Sequence, residues 1–482
     1  MTLPASGPLS MADIQTEFGG SNPISLSEYY AGGGLVPSGT TGTYGAVPSS
    51  GTLSIQNFYG TSNYVPVVWI GLLGFSGGAA VETGQSVAVD SSGNMYVCGF
   101  STTNGYDFQM AKYDTNGVIQ WQRSFGDANY QSGFSVSVDG SGNMYVGGVS
   151  NASGTFDFQI AKFNTSGTIQ WQRRLGGSGF NSAASIKADT SGNVYVCGAS
   201  TASGSRNFQI AKYDTSGAIQ WQRSLGSSGS DDGRSITVDT SGNVYVCGSS
   251  DSSGTDDFQI AKYNSSGTIQ WQRRLAGAGF STEVAESVAV DSSGNLYICG
   301  YAGGGGVYNF QMAKYDTSGA IQWQRYLAGT DNDTGRSVAL DSSGNMYVCG
   351  TSEVGGQSYL QIAKYSTSGA IQWQRKLGGA SIVSAGYSIA IDGPGNVYVC
   401  GYTRASGNDD FLFAKLPGNG SKTGTYTVGG YSITYSTSSL TDAATSLTDA
   451  ATSLTDASTS LTDASTSLPD AATTLTSSVT LI

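Results

Sequence analysis

The chain has 482 residues, of which 70 are glycine and 12% are charged, and its formal net charge at pH 7 is −12. An acidic chain lacks the basic surface that nucleic acids require, so we expect no nucleic-acid partner. No apolar stretch is long enough to span a bilayer, which predicts no membrane insertion. The N-terminal residues MTLPASGPLSMADIQ also lack the basic and apolar regions of a secretory signal.

Residues 1–62 differ in pattern from the rest of the chain. Ser10 with Asp13 and Ser25 with Glu28 have the spacing of a helix capping box, so two short helical turns are predicted. We expect a segment of this size to bury no core of its own and to fold against a partner or its own copies. An unremarkable Gly/Ser-rich leader is the plain alternative.

The phrases LPASGPLSMADI, ISLSEYY and FYG of this segment resemble a short N-terminal module of tailed-phage virion proteins. The resemblance covers about 60 residues. It implies that residues 1–62 attach the chain to other virion proteins.

Three phrases then recur in fixed order through residues 63–418, with a period of about 50 residues. The first is S-[VI]-x-[VAIL]-D-x-x-G-N-[MVL]-Y-[VI]-[CG]-G and the second is F-Q-[IM]-A-K-[YF], which the last two copies match only in part. Both occur seven times, whereas I-Q-W-Q-R occurs six times. Each repeat thus holds four short strands, which predicts an all-β fold, a seven-bladed β-propeller with four-stranded blades. A tryptophan that we expect to pack between blades marks each repeat: Trp69, Trp121, Trp171, Trp221, Trp271, Trp323 and Trp373.

The order of the phrases predicts how the ring closes. The segment around Trp69 precedes the first complete repeat, and the last repeat ends after its third strand. The strand around Trp69 should therefore be the outer strand of the last blade, which leaves no open edge. The phrases VAVDSSGNMYVCG and DFQMAKYDTNG resemble the bacterial β-propeller repeat family abbreviated SBBP, and more distantly the NHL repeats. That resemblance implies the fold and no particular activity.

The polar and thiol residues of the repeat have structural interpretations. The aspartate of D-x-x-G-N should accept hydrogen bonds from its own turn, because one carboxylate per copy is a poor calcium site. We expect the arginine of W-Q-R to pair with a carboxylate or a backbone carbonyl. Six cysteines, each in Y-[VI]-C-G, are too far apart in sequence for zinc and should be buried, reduced thiols. We therefore predict neither a metal nor a cofactor.

The connections between strands differ in how strongly they repeat. The turns D-x-x-G-N and D-T-S-G are nearly invariant, whereas the loops after the second and the outer strands vary in every copy and should share the opposite face. Loops on a rigid scaffold often carry recognition, although loop sequences also drift where packing does not restrain them. The candidate ligand-binding residues are Tyr106, Tyr130, Phe156, Arg206, Arg234, Tyr308, Arg336, Tyr359 and Arg404, with Phe180 and Phe280 as further candidates.

The sequence offers little catalytic machinery. It contains no histidine, which excludes a histidine-based triad, and no acidic pair stands out as glycosidase carboxylates. We predict that the protein is not an enzyme.

The C-terminal part has two patterns. Residues 419–438 alternate around a Gly-Gly pair and predict a β-hairpin. Residues 439–482 repeat SLTDAAT, with leucine every seven residues and alanine three residues later. This pattern predicts a thin coiled-coil seam and a slender helical homo-oligomer such as a trimer. The abundance of Ser, Thr and Asp makes disorder the competing interpretation.

These patterns lead to one functional hypothesis and two alternatives. The leading hypothesis is a non-enzymatic phage virion structural protein, a tail fibre or tail-associated adhesin that contacts a host surface glycan or protein. Such a protein would be synthesised in the host cytoplasm and located at the tail or surface of the virion. The alternatives are an architectural capsid or tail decoration protein without an external ligand, and a bacterial carbohydrate-binding propeller.

Overall fold

A computed structural model describes residues 10–18, 29, 36, 41–42, 45–47, 50, 54, 58, 67–74, 81–102, 106–126, 129–252, 254–277, 279–379, 382–445, 447–452, 454–458, 462–465, 470–472 and 476–482. The chain forms two compact units, Met1–Val67 and Val68–Ile482. The second unit contains the propeller, the predicted hairpin and the C-terminal tail. No helix among these described residues is long and apolar enough to cross a membrane.

The first unit contains the helix Met11–Phe18 and a two-stranded hairpin of Thr41–Gly42 and Gly45–Ala46. The Ser10 hydroxyl accepts a hydrogen bond from the Asp13 amide at 3.2 Å, and the Asp13 carboxylate accepts one from the Ser10 amide at 2.7 Å. This reciprocal cap confirms the first predicted helical turn, while the second, at Ser25–Glu28, lies outside the described residues.

The first unit also has a small core, contrary to our expectation. The Phe58 ring lies 6.1 Å from the rings of both Phe18 and Tyr29, and all three are buried. Three aromatic side chains supply much apolar area for their number, which explains how so short a segment becomes compact.

The second unit is a seven-bladed β-propeller with four-stranded antiparallel blades, as predicted. From the inner to the outer strand, the first four blades consist of the strands Glu82–Val89, Met95–Ser101, Asp107–Tyr113 and Ile119–Phe125 (blade 1); Gln131–Val138, Met144–Ser150, Asp157–Phe163 and Ile169–Gly176 (blade 2); Asn181–Ala188, Val194–Ser200, Asn207–Tyr213 and Ile219–Gly226 (blade 3); Asp231–Val238, Val244–Ser250, Asp257–Tyr263 and Ile269–Ala276 (blade 4). The last three consist of Thr282–Val290, Leu296–Gly304, Val307–Tyr315 and Ile321–Ala328 (blade 5); Asp333–Leu340, Met346–Val354, Gln357–Tyr365 and Ile371–Gly378 (blade 6); Ser384–Ile391, Val397–Thr403, Asp410–Leu416 and Trp69–Gly74 (blade 7).

Blade 7 closes the ring as the order of phrases predicts. Trp69 pairs with Lys415, in the same register in which Trp121 pairs with Lys112 in blade 1. The Tyr398 hydroxyl of blade 7 donates to the Gly93 carbonyl of blade 1 at 3.1 Å. Hydrophobic side chains of neighbouring blades bury each other, and the six cysteines are buried free thiols among them.

A ring of hydroxyls joins the inner strands. The serine that opens the first phrase accepts a hydrogen bond from a backbone amide of the next blade, as Ser86 does from Val136 at 3.1 Å. The same bond occurs at every blade interface, including Ser388 with Val87 across the closure. The repeated S-[VI] dipeptide therefore joins blades as well as building strands.

The C-terminal tail forms a belt around the ring. After the hairpin strands Gly424–Val428 and Tyr431–Thr437, it contains the strands Thr441–Ala444, Thr448–Ala451, Thr455–Ser458, Thr462–Ser465, Asp470–Ala472 and Thr476–Leu481. Tyr431–Thr437 pairs with the outer strand of blade 6, and the six belt strands pair in turn with blades 5, 4, 3, 2, 1 and 7. Every blade thereby gains a fifth strand.

The prediction of a helical coiled coil in the tail is therefore wrong for the described residues. Seven extended residues span about 23–25 Å, which is enough to pair four residues with one blade and cross to the next. Leu440, Leu447 and Leu454 are buried against the blades, so they do not form the seam of a coiled-coil trimer. Threonine favours strands, and pairing with an open blade edge outweighs the weak helix propensity of this composition.

The second glutamine of I-Q-W-Q-R holds the belt. The Gln272 side-chain amide donates to the Leu454 carbonyl at 2.9 Å and accepts from the Leu454 amide at 3.1 Å. Gln374 holds Leu440 with the same two bonds, at 2.7 and 3.1 Å. The arginine of W-Q-R pairs as expected, because Arg223 donates to the Gly267 carbonyl and Arg325 lies 3.6 Å from Asp442.

Candidate functional site

The loops that vary between blades contact one another, which places them on one face of the ring. The Tyr106 carbonyl, in the loop after the second strand of blade 1, accepts from the Gln131 amide at the start of blade 2 at 2.7 Å. The same link joins Phe156 to Asn181 at 2.8 Å. We call the loops between second and third strands, together with those between blades, the variable face.

The opposite face, here called the uniform face, carries the repeated turns. The Asp90 carboxylate accepts from the backbone amides of Ser92 and Asn94 at 3.0 and 2.9 Å, and from the Asn94 side chain at 2.9 Å. Gly93 has a φ of +81°, which favours glycine. The hydrogen bonds of the turn thus use the acceptor capacity of its own aspartate carboxylate, as predicted. Within the described ranges, no group of three or more His, Cys, Asp or Glu is placed to hold a metal ion.

Five aromatic rings form a continuous line on the variable face of blades 1–3. The ring centroids are 5.6 Å apart for Phe100–Tyr106, 4.6 Å for Tyr106–Tyr130, 5.6 Å for Tyr130–Phe156 and 5.4 Å for Phe156–Phe180. Tyr106 is 39% exposed and Phe180 is 38% exposed, whereas the others are half-buried. We call these five residues the aromatic arc. It offers ring surface to solvent at two points that a rigid scaffold fixes.

The aromatic arc continues into charged residues at blades 3 and 4. The Arg206 guanidinium lies 5.3 Å from the centroid of Phe180 and donates to the Asp232 carboxylate. Arg234 lies 3.8 Å from the same carboxylate. Burial lowers the pKa of Arg234, but the nearby carboxylates of Glu286 and Asp232 outweigh that effect and raise it. One acidic group is therefore shared by two arginines.

Blades 5 and 6 extend the charged region. Arg336 donates to the Glu286 carboxylate at 2.8 Å and lies 5.6 Å from the centroid of Tyr301. Tyr301 in turn makes an edge contact with Tyr308 at 5.4 Å. Burial raises the pKa of Tyr301, and the Glu286 charge adds to this effect.

The remaining candidates lie at blades 6 and 7. Arg404 pairs with Asp409 at 2.5 Å and stacks 5.6 Å from the centroid of Tyr402. Tyr359 is covered by Lys376, whose ammonium lies 4.2 Å from the ring centroid. Within the described part of the chain, no ring or ion-pair contact joins Tyr359 and Lys376 to the aromatic arc or to the four arginines.

Two buried carboxylates open the inner strands of blades 5 and 6. Glu283 accepts from the Gly277 amide, and Asp333 accepts from the Gly329 amide at 2.6 Å. Both residues have no exposed surface. Burial raises the pKa of Glu283 to about 7 and that of Asp333 to about 6.

The structure connects most of the predicted site residues and adds others. Tyr106, Tyr130, Phe156, Phe180 and Arg206 follow one another in contact, whereas Phe280 packs against the core of blades 4 and 5. The residues that sequence reasoning missed are Phe100, Asp232, Glu286, Tyr301, Tyr387 and Tyr402.

A backbone irregularity explains part of what was missed. In each blade the pairing of the inner and second strands shifts by one residue just before the repeated serine, as between Gly233 and Ser235 in blade 4. The extra residue is Arg234 there, Glu286 in blade 5, Arg336 in blade 6 and Tyr387 in blade 7. The position before S-[VI], which holds Gln, Phe, Ala, Arg, Glu, Arg and Tyr in the seven repeats, was the available signal.

The fold and this face define a β-propeller with one uniform and one variable face. The model of the "Beta-propeller repeat" family, SBBP, matches residues 220–254, 270–306, 322–355 and 372–407. These segments, which lie in blades 3 to 7 of the ring, are similar to the repeats of that family.

The solved structures that are similar to the chain include the following two. Sqt1 of Chaetomium thermophilum is 10% identical, with coverage of 71% of this chain and 97% of that chain and a TM-score of 0.38. XC5397 of Xanthomonas campestris, described as a gluconolactonase, is 11% identical, with coverage of 61% and 90% and a TM-score of 0.35. Likenesses of this size carry no argument about function. No curated protein sequence matches the chain.

Proposed function

We propose that the protein is a non-enzymatic virion protein of a tailed phage that binds the host surface through the variable face of its propeller. The observation that carries this proposal is the contrast between the two faces. On the uniform face the same side chains satisfy the same turns in blade after blade, so that face is explained by folding alone. The residues of the variable face differ in each blade, and yet they form a connected surface.

A rigid support strengthens this interpretation. The inner serines, the closing strand at Trp69 and the C-terminal belt hold all seven blades in one unit. Recognition loops lose less conformational entropy on binding when the scaffold already fixes them. Attachment to the particle is assigned to residues 1–62, on the resemblance of their three phrases to a phage virion module.

One deletion and one competition assay test the two halves of this proposal. Particles that encode a chain lacking residues 1–62 should assemble without the protein, which immunoblotting of purified particles would detect. Normal incorporation would contradict the attachment role. The purified full-length chain should compete with particles for adsorption to host cells, and an excess that leaves adsorption unchanged would favour a purely architectural protein.

A further inference from the structure

We infer that the variable face binds an acidic polysaccharide, with sugar rings against the aromatic arc and carboxylates at the arginines that follow it. The inference rests on the proposed function and names the class of its ligand. It depends on three features of the face: the line of rings, the placement of cations, and the incomplete pairing of two guanidinium groups.

The aromatic arc suits a linear ligand with repeated apolar faces. Its rings follow one another at 4.6–5.6 Å across blades 1–3, and the two exposed rings, Tyr106 and Phe180, are separated along the arc by Tyr130 and Phe156. Pyranose rings present C–H faces that pack on aromatic rings, and hydroxyl edges that remain solvated. A chain of sugars can therefore contact successive rings without burying unpaired polar groups.

Four of the cations outside the repeated phrases lie in the loops of this face or beside them. Seven lysines and six arginines of the chain stand at the repeated positions of F-Q-[IM]-A-K and I-Q-W-Q-R. Nine cations stand elsewhere. Of these, Arg206 and Arg404 lie in loops of the variable face. Arg234 and Arg336 lie in the inner strands of blades 4 and 6, where Arg234 shares Asp232 with Arg206 and Arg336 pairs with Glu286. Each of the four stands beside a carboxylate of the chain, so an anionic ligand would bind through the donors that these pairs leave unused.

Two of these arginines retain donors for such a ligand. The Arg234 side chain is 40% exposed, and its guanidinium lies 3.8 Å from the Asp232 carboxylate, which is longer than a hydrogen bond. The buried Nε atoms of Arg234 and Arg336 also have no hydrogen-bond partner among the described residues, so neither guanidinium is fully paired. Both residues occupy the irregular position of their inner strands, and Glu286 of blade 5 stands between them in the ring. A guanidinium binds a carboxylate through two parallel hydrogen bonds, so a uronic or sialic acid carboxylate would complete the pairing.

The experiment measures binding of the full-length chain to polygalacturonate, alginate and polysialic acid by calorimetry. The matched ligand controls are carboxyl-reduced polygalacturonate and dextran, which keep pyranose rings without the charge. We expect at least one acidic polymer to bind and the carboxyl-reduced or neutral polymers to bind at least about tenfold more weakly. Affinity should also fall with added salt.

Three variants test the residues. Tyr106→Ala should remove stacking, and Arg234→Gln should remove the carboxylate contact, each with an expected loss of about tenfold or more. Arg234→Lys keeps the charge but not the planar fork, so it should bind more weakly than the native chain. Val118→Ala is the control, because Val118 is 57% exposed in a turn of the uniform face.

The inference is overturned if no acidic polymer binds, if carboxyl reduction has no effect, or if Tyr106→Ala and Arg234→Gln bind like Val118→Ala. The proposed function fails separately. If the chain blocks particle adsorption but binds no acidic polymer, the proposed adhesin function stands and the acidic polysaccharide is excluded as its ligand. Adsorption that is abolished by treating the cells with protease would point to a protein receptor instead.

Discussion

The belt around the propeller can be tested at a single glutamine. Gln272 of blade 4 makes two hydrogen bonds with the backbone of Leu454, whereas Gln270, two residues earlier in the same strand, donates only to carbonyls of its own turn and strand. Gln272→Ala removes both bonds to Leu454 and a longer one, at 3.3 Å, that the Thr452 hydroxyl donates to the Gln272 side chain. Gln270→Ala is the matched control.

The expected loss of free energy at the belt follows from the two bonds to Leu454. Each contributes about 0.5–1.5 kcal/mol, so the belt should be weakened locally by about 1–3 kcal/mol. Because 1.4 kcal/mol corresponds to a factor of ten, opening of the belt at Leu454 should become about 5- to 150-fold more frequent. The blades themselves keep their pairing, so the loss should be local and not global.

Hydrogen–deuterium exchange measures this opening directly. In Gln272→Ala the peptide that contains Leu454 should exchange faster by that factor, while the peptides of the inner strands exchange as in the native chain. Equal protection of Leu454 in the native chain and in both variants would refute the role of Gln272 in holding the belt. Faster exchange throughout the ring would instead show that the belt and the blades open as one unit.

Three further predictions concern the edges, the turns and the buried acids. Deleting residues 439–482 should leave the outer edges of six blades uncovered and cause association in light scattering, and a monodisperse product would contradict this. Gly217→Ala should lower the thermal midpoint more than Gly204→Ala, because both have positive φ but only at Gly217 would a Cβ lie 2.9 Å from the Trp171 ring; equal losses would exclude the Trp171 contact. Glu283 has a pKa raised from 4.5 to about 7, so the native state keeps a proton that the unfolded state releases, and the free energy of unfolding should fall as pH rises through that window. Glu283→Gln should remove that part of the pH dependence, and in urea unfolding at pH 8 the variant should be more stable than the native chain by roughly 1–3 kcal/mol. A pH profile of stability that is the same in the variant and the native chain would refute this role of Glu283.

The sequence predicts those features that every blade repeats. Seven copies of D-x-x-G-N determine the number of blades, and the unmatched strand at Trp69 determines how the ring closes. Such features are predictable because the same local interactions recur with the same spacing, so one pattern is observed seven times.

The belt and the connected variable face could not be predicted in the same way. A leucine every seven residues fits a coiled coil, but it also fits a strand that meets one blade per seven residues, and only the ring decides between them. The line from Tyr106 to Phe180 joins loops that lie about 25 residues apart, and each contact depends on how neighbouring blades meet. Sequence spacing gives neither of these geometries.

The composition of the tail follows from its position at the outside of every sheet. A fifth strand covers the edge of the fourth but presents an edge of its own, which another chain could extend. Here the described strands of the belt that pair with blades 1–5 are only three or four residues long, and four of them carry the sequence T-D-A-[AS]. Short strands with a charged residue are poor templates for further pairing. The leucines that anchor the belt point into the blades, where Leu440, Leu447 and Leu454 are buried. The Ser-, Thr- and Asp-rich sequence that suggests disorder is thus what the outermost strand of a closed ring requires.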